Sequence, residues 1–356
     1  LHREITADSN FIDMQPLTRR GFLSFTAKQP EPAGFWLHVN RTAMACRFEV
    51  TLPISRGAGV RVAIRALDQI EKLEAQLSVF RESSEISFIN REAATRAVRI
   101  ESSLFDLLAL CRKLYDETGG AFDVTVGPLT RCWGFLKRAG RIPAADDIER
   151  ARSLVGSDKM LLDDKTQSVR FLREGMEVNL GSIGKGYALD RVASSMRQGV
   201  RSALLNAGAS SIYAIGAGDR NDGWSVGLRD PRNKNRRLAK LRLRDCAVST
   251  SGSEEQFFEH DGQRYGHIID PRSGRPAQRM TSVSIVARSA AMSDALATAF
   301  YIGGSEVAER YCAANTDVLA IMLEKDAERP VIVGSNCGCQ IEQIYERARM
   351  NFHEFN

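Results

Sequence analysis

The stretch Glu177-Val-Asn-Leu-Gly-Ser-Ile-Gly-Lys-Gly-Tyr-Ala-Leu-Asp190 reads as a strand, a glycine-rich turn and the start of an amphipathic helix. Gly181, Gly184 and Gly186 let the backbone approach a bulky anion and aim amide groups at it. The helix that follows adds its positive end, and Lys185 adds a full charge. The same residues also suit an ordinary tight turn, and their spacing matches neither the Walker P-loop nor the dinucleotide-binding fingerprint. A second constellation is Asp294 and Thr298, four apart in a helical pattern that begins at Ser289, so both oxygens project from one helix face. Oxygens buried together on an alanine-rich face suit a hard cation such as Mg²⁺, which leaves room for substrate phosphates. The plainer alternative is an Asp favoured by the helix dipole and a Thr bonding back to the preceding turn.

Two further residues stand out by their surroundings. Asp123, within Ala121-Phe-Asp-Val-Thr-Val-Gly-Pro128, is costly to bury unless its oxygens are satisfied. It either holds a turn by accepting backbone hydrogen bonds, which the local sequence favours, or receives a donor from a heterocycle. Of the five histidines, His267 alone falls within an apolar strand bounded by a turn. Such a setting favours a hydrogen-bonded core residue over a catalyst. Phe80 and Arg81 follow a helical stripe and read as a cap with one aromatic anchor.

Positioning these groups calls for a mixture of helices and short strands. Alternation runs from Phe35 to Leu52, with Met44 to Val50 as its clearest strand, and Val60 to Leu77 carries a helical stripe. A helix from Ser103 to Glu117 stops at Gly119-Gly120, another spans Ala144 to Leu154, and Met160 to Leu172 is a hairpin. After the glycine turn a helix runs to about Arg197, followed by short strands at 203–208, 211–215 and 224–228. Cys246 to Gly252 is rich in small residues, and His260-Asp-Gly262 turns a hairpin whose return strand is expected over Arg264 to Pro276. Strands are expected at 282–287, 318–323 and 331–333, and a terminal helix from Gln340 to Phe355. Without regular β-α alternation the fold class is α+β, an antiparallel β-rich core flanked by helices in two lobes around a cleft. Residues 1–34 read as a flexible N-terminal extension and 35–356 as one folded region.

Bulk properties exclude several classes. A hydrophobic fraction of 43% and a charged fraction of 26% over 356 residues are those of a globular chain. The net charge of +5 comes from scattered basic residues, which argues against nucleic acid as a partner. Seven cysteines, an odd number, argue against a disulfide framework, and Cys337-Gly-Cys339 lacks a second ligand pair for zinc. No apolar run approaches the ~20 residues of a transmembrane segment. Thr18-Arg-Arg-Gly-Phe-Leu23 looks like a twin-arginine leader, but neither an apolar stretch nor a cleavage site follows. A cytoplasmic location is therefore expected, with export through Arg19 and Arg20 as the alternative.

The order of the motifs carries more than any one of them. Met-Ala-Cys, Ser-Val-Phe-Arg-x-x-Ser-Glu-Ile-Ser, Gly-Gly-Ala-Phe-Asp-x-Thr-Val-Gly-Pro, Asn-Leu-Gly-Ser-Ile-Gly-Lys-Gly-Tyr-Ala-x-Asp, Val-Ser-Thr-Ser-Gly, His-Ile-Ile-Asp-Pro-Arg-Ser-Gly-Arg-Pro and Ser-Asp-Ala-Leu-Ala-Thr-Ala follow one another. From about Phe35 to Leu323 this series resembles the FAD:protein FMN transferase (ApbE-type flavin transferase) family. The resemblance implies an Mg²⁺-dependent enzyme that splits FAD, releases AMP and esterifies FMN to a Thr or Ser hydroxyl of an acceptor flavoprotein or redox-complex subunit. It implies that Met44, Phe80, Ala121, Phe122 and Asp123 line an FAD site in the cleft, and that Asn179 and Lys185 contact FAD. It makes Asp294, Thr298 and the backbone carbonyl of Ser182 the metal ligands, and His267 both part of the FAD site and the candidate catalytic base, with Lys185 and Asp294 completing the catalytic set. Family members usually carry Asp where this chain has Asn179, Gly or Ala at Ser182, and Ala at Gly184. A metal-dependent FAD pyrophosphatase and a non-catalytic FAD-binding protein are the alternatives, and Asn179 is the argument for the latter.

Overall fold

Burial alternates along Trp36–Ala43, which pairs with Cys46–Pro53 to start the sheet on which the molecule is built. The computed structural model describes residues 36–53, 58–137, 139–208, 210–218, 222–252, 256–335 and 337–345, with two short strands at Ile5–Ala7 and Leu23–Ser24. Nine strands form one sheet in the order Ile5–Ala7, Trp36–Ala43, Cys46–Pro53, Ala203–Ala207, Ser211–Ile215, Ala247–Gly252, Met280–Ala287, Val318–Glu324 and Val331–Gly334. Every neighbouring pair in it is antiparallel.

Seven α-helices are described: α1 (Ala58–Leu77), α2 (Glu85–Glu92), α3 (Ser102–Glu117), α4 (Gly127–Cys132), α5 (Ala145–Ser153), α6 (Gly184–Met196) and α7 (Ala290–Ala314). Helix α1 buries Ala63, Ala66, Leu67, Ile70, Leu73 and Leu77, the stripe that its sequence period dictates. Together α1, α6 and α7 cover one face of the large sheet. Helix α7 is buried along most of its length and breaks at Gly304, whose φ of 68° only glycine adopts without strain. The opposite face carries Leu204, Ile212, Val248, Val286 and Ile321, which share a second core with Val226, Leu228, Leu241 and Leu243. Those last four belong to a smaller sheet ordered Leu23–Ser24, Trp224–Asp230, Asn233–Leu243 and Cys339–Ile344. A third core gathers Leu129, Trp133 and Ile148 under Phe258 and Tyr265 of a hairpin, Phe257–His260 with Gln263–Gly266. The rings of Phe258 and Tyr265 stack at 5.2 Å, and the Trp133 indole donates to the Gly274 carbonyl at 2.8 Å.

The α+β class with an antiparallel core flanked by helices is what the chain adopts. Several local expectations are corrected. Met44 and Ala45 form the turn between two strands, with φ of 49° and 57°, rather than lying in a strand. Residues before the glycine turn make only one isolated bridge, Glu177 to Val126, so no strand ladder precedes it. The hairpin's return strand ends at Gly266, leaving His267 outside it, and Ile269–Asp270 pairs separately with Arg275–Pro276. Helix α3 starts at Ser102 rather than Ser103, capped by the Glu101 side chain, which accepts the Leu104 amide at 3.2 Å. In place of a terminal helix, Cys339–Ile344 pairs with Ala239–Leu243, and Lys240 and Arg242 both bridge to Glu342. The spacing of Ile341 and Ile344 mimics a helical period, but the ladder is irregular between Lys240 and Leu241 and absorbs it. Arg19 and Arg20, most of the 1–34 extension, and residues 346–356 lie outside the described residues. None of the seven cysteines is in a disulfide. Among the described residues no helix is long and apolar enough to cross a membrane.

Candidate active site

The glycine turn is closed by its own backbone before α6 begins. The Gly184 amide donates to the Leu180 carbonyl at 2.7 Å, and the Gly181 amide donates to Asn179 Oδ1 at 2.9 Å, an Asx-turn. The backbone amide of Asn179 donates to the Val124 carbonyl at 2.7 Å, which ties the turn to the segment holding Asp123. Ser182 is half-buried within the turn.

At Gly186 the turn meets α7. A Cβ there would lie 2.1 Å from the Ala290 carbonyl oxygen and 2.8 Å from Asp294 Cβ, so glycine is required by close helix contact. The freed space brings the Gly186 amide to 3.0 Å from Asp294 Oδ2, to which it donates. Asp294 is buried, and the Ser211 hydroxyl lies 3.4 Å from its Oδ1. One turn on, Thr298 Oγ1 is 3.2 Å from the hydroxyl of Ser251 on the central strand Ala247–Gly252. Lys185 reaches back to the Ser210 hydroxyl at 2.5 Å. The fold thus brings the lysine-bearing turn and the Asp294–Thr298 helix face together over a floor of strand hydroxyls.

The other candidates fall into three places. The Met44 amide donates to Glu74 Oε1 at 2.8 Å, and Arg81 donates to the other oxygen of Glu74 at 2.8 Å, so both loops are fastened to the end of α1. Phe80, next to Arg81, is 75% exposed, a large apolar cost for a side chain without a binding role. Ala121 and Phe122 have buried side chains. Asp123 is also buried and accepts from the Thr125 amide (2.8 Å), the Thr125 hydroxyl (2.7 Å), the Ser157 hydroxyl (2.7 Å) and the Ser157 amide (3.2 Å). Its turn-holding reading therefore has full structural content. Burial raises its carboxyl above the ordinary range, against the opposing pull of Thr125 and Ser157. A cavity of about 340 Å³ adjoins it, lined among others by Tyr115, Gly120, Arg152, Lys159 and Arg272. His267 is half-buried, with its amide 3.0 Å and its Nδ1 3.1 Å from the Gln256 carbonyl. The Gln256 side chain in turn donates to the Phe135 carbonyl at 3.1 Å.

Sequence reasoning missed the residues that brace this arrangement. Ser210, Ser211 and Ser251 carry no local signal, because their partners are 25, 83 and 47 residues away. Asp190 was legible in principle, since it lies four residues beyond Gly186 and so shares its helix face. Its carboxylate binds the start of α7.

The donor set on α7 also bears on metal choice. Among the described residues no cluster of three or more His, Cys, Asp or Glu is suited to a metal ion. One buried carboxylate and one hydroxyl, one helical turn apart, are both oxygen donors and too few to enclose an ion. That set fits Mg²⁺, which keeps positions for water and phosphate oxygens, and does not fit zinc.

The sequence and the fold both have relatives among known proteins. The ApbE family model matches residues 44–323. A protein of Klebsiella pneumoniae named FAD:protein FMN transferase is 32% identical over 280 residues, covering 77% of this chain and 85% of its own. One of Treponema pallidum with the same name is 33% identical over 253 residues, covering 67% and 70%. The crystal structure of the ApbE protein from Thermotoga maritima superposes with a TM-score of 0.76 at 28% identity, covering 84% of this chain and 97% of that one. Flavin transferase ApbE from Vibrio cholerae gives 0.75 at 25%, covering 86% and 98%. A match across the turn, the central strand and the α7 face alike places this chain in the ApbE family.

Proposed function

We propose that this chain is an FAD:protein FMN transferase, moving FMN from FAD to a Thr or Ser hydroxyl of an acceptor protein and releasing AMP. The observation that carries the reading is the bond from the Gly186 amide to Asp294, which sets a cationic glycine turn against an oxygen-bearing helix face. Asp294, Thr298 and the Ser182 carbonyl would hold Mg²⁺, which when bound neutralises charge on pyrophosphate oxygens.

Lys185 adds a positive charge from the turn, and its long stem lets the ammonium exchange Ser210 for a phosphate oxygen. Asn179 keeps the turn closed through Gly181, a task that needs an acceptor oxygen and no charge, so its replacement of the usual Asp leaves the loop intact. The Phe80 ring and the Met44 turn would flank the flavin dinucleotide at the end of α1. A carbonyl can only accept, so the bond to Gln256 makes Nδ1 of His267 the protonated nitrogen. Nε2 is then the atom that takes the proton of the acceptor hydroxyl. The hydroxyl oxygen forms a bond to the FMN phosphorus, the bond from that phosphorus to the bridging oxygen breaks, and AMP leaves with the electron pair.

Incubation of the purified protein with FAD, Mg²⁺ and a candidate acceptor tests the reading. Covalent flavin on the acceptor supports it. Free FMN and AMP without covalent product would make the protein a pyrophosphatase, and unchanged bound FAD would make it a binding protein.

A further inference from the structure

Asp190 has no part in the transfer chemistry, yet its carboxylate is fully engaged. Oδ1 accepts the Ala290 amide at 2.7 Å, while Oδ2 accepts the Ala291 amide at 2.9 Å and the Ser289 hydroxyl at 2.7 Å. Ser289 Oγ itself accepts the Met292 amide at 3.2 Å, capping α7. One turn earlier on α6, the Gly186 amide holds Asp294. Two residues four apart on α6 therefore grip two points four apart on α7, Ala290 and Asp294, and the helices pass in opposite senses. Fixing a rigid helix at two points sets both its axial position and its rotation. The contact is also tight, since no side chain fits at Gly186.

We propose that Asp190 is a positioning residue: with Gly186 it clamps α6 to α7 and so sets the rotation that points Asp294 and Thr298 at the glycine turn. The inference rests on the reading above, in which those two residues bind Mg²⁺. An acid that merely capped α7 would contribute to stability and leave cation affinity alone. A clamp does both, because outer residues that orient metal ligands typically change affinity by about 10- to 100-fold.

The test uses the full chain and Asp190→Asn, which keeps the volume but replaces one acceptor oxygen by a donor. Two quantities are read, Mg²⁺ affinity by calorimetric titration into FAD-loaded protein and amide hydrogen exchange of residues 290–298 in the free protein. Asp190→Asn is expected to weaken Mg²⁺ by roughly 10- to 100-fold. It should also speed exchange over 290–298 while leaving Ala247–Gly252 and the FAD affinity in EDTA unchanged. Gly186→Ala, which forces the helices apart by a different route, is expected to give the same pair of effects. Should Asp190→Asn not fold, Ser289→Ala removes one of the three bonds to Asp190 together with the Met292 cap, and a smaller loss of Mg²⁺ affinity is the readout, since loss of the cap alone speeds exchange. A folded variant with wild-type Mg²⁺ affinity overturns the proposal, as does weaker affinity without faster exchange. Wild-type protein that binds FAD but no Mg²⁺ overturns the functional reading and this inference with it, and the exchange data still report whether the clamp exists.

Discussion

The ammonium of Lys185 donates to the hydroxyl of Ser210, whose carbonyl accepts the Thr250 amide at 2.8 Å. The cation is thus held over the central strand rather than in solvent. Lys185→Met is expected to lower FMN transfer by about 10²- to 10³-fold, the usual cost of losing one donor to developing charge. Ser210→Ala should cost less than Lys185→Met, because the ammonium exchanges that hydroxyl for a phosphate oxygen and keeps its charge in the variant. In-gel fluorescence of the flavinylated acceptor reads both, and a fully active Lys185→Met protein would remove lysine from the mechanism.

His267→Ala separates binding from chemistry. Transfer should fall by roughly 10²- to 10⁴-fold, the contribution of a positioned general base. FAD affinity, followed by quenching of flavin fluorescence, should stay close to wild type. Retained transfer would return His267 to a purely structural role on its Gln256 contact.

The Met44–Ala45 turn places two L-residues at positive φ, where a Cβ crowds the following carbonyl. Ala45→Gly should raise unfolding free energy by about 1 kcal/mol in urea melts. Met44→Gly relieves the same backbone but deletes a side chain packed against the main core, so it should gain less stability than Ala45→Gly while weakening FAD binding. Equal FAD affinity in the two variants would exclude the Met44 side chain from the site.

Asp123 makes a signed prediction for pH. Burial raises its folded carboxyl above the ordinary value. Below the unfolded value both states hold the proton; between the unfolded and folded values only the native state does. Stability from this group is therefore full at low pH and is lost as pH rises through the folded value. Asp123→Asn lacks the titration, so the wild-type advantage over the variant should shrink as pH climbs from the ordinary aspartate value through the raised folded one. Urea melts at several pH values measure it, and a constant difference would show that Asp123 titrates normally.

The helices were legible where period and burial agree, as in the α1 stripe of Ala63, Ala66, Leu67, Ile70, Leu73 and Leu77. The start of α7 was legible too, because Asp294 and Thr298 interrupt an alanine-rich face at helical spacing. Met44 was misplaced because Met-Ala carries none of the Asn-Gly chemistry that marks a two-residue turn. The hairpin that ends at Gly266 was extended through His267 because apolar residues continue to Ile269. What no local pattern encodes is the meeting of distant segments. Gly186 faces Asp294 across 108 residues, and only the packing of α6 on α7 makes that pair a pair.

The break of α7 at Gly304 makes the long helix two rods with independent phase. Each residue added to a continuous helix turns everything beyond it by about 100°. An insertion between Ser289 and Asp294 would therefore swing Asp294 away from its partners, whereas one placed just past Gly304 is taken up at the joint. Length variation at that joint should accordingly spare the Asp294–Thr298 face, whereas variation between Ser289 and Asp294 should be ruinous; beyond the joint, the buried Val307, Ala308, Tyr311 and Cys312 hold the second rod in its own phase.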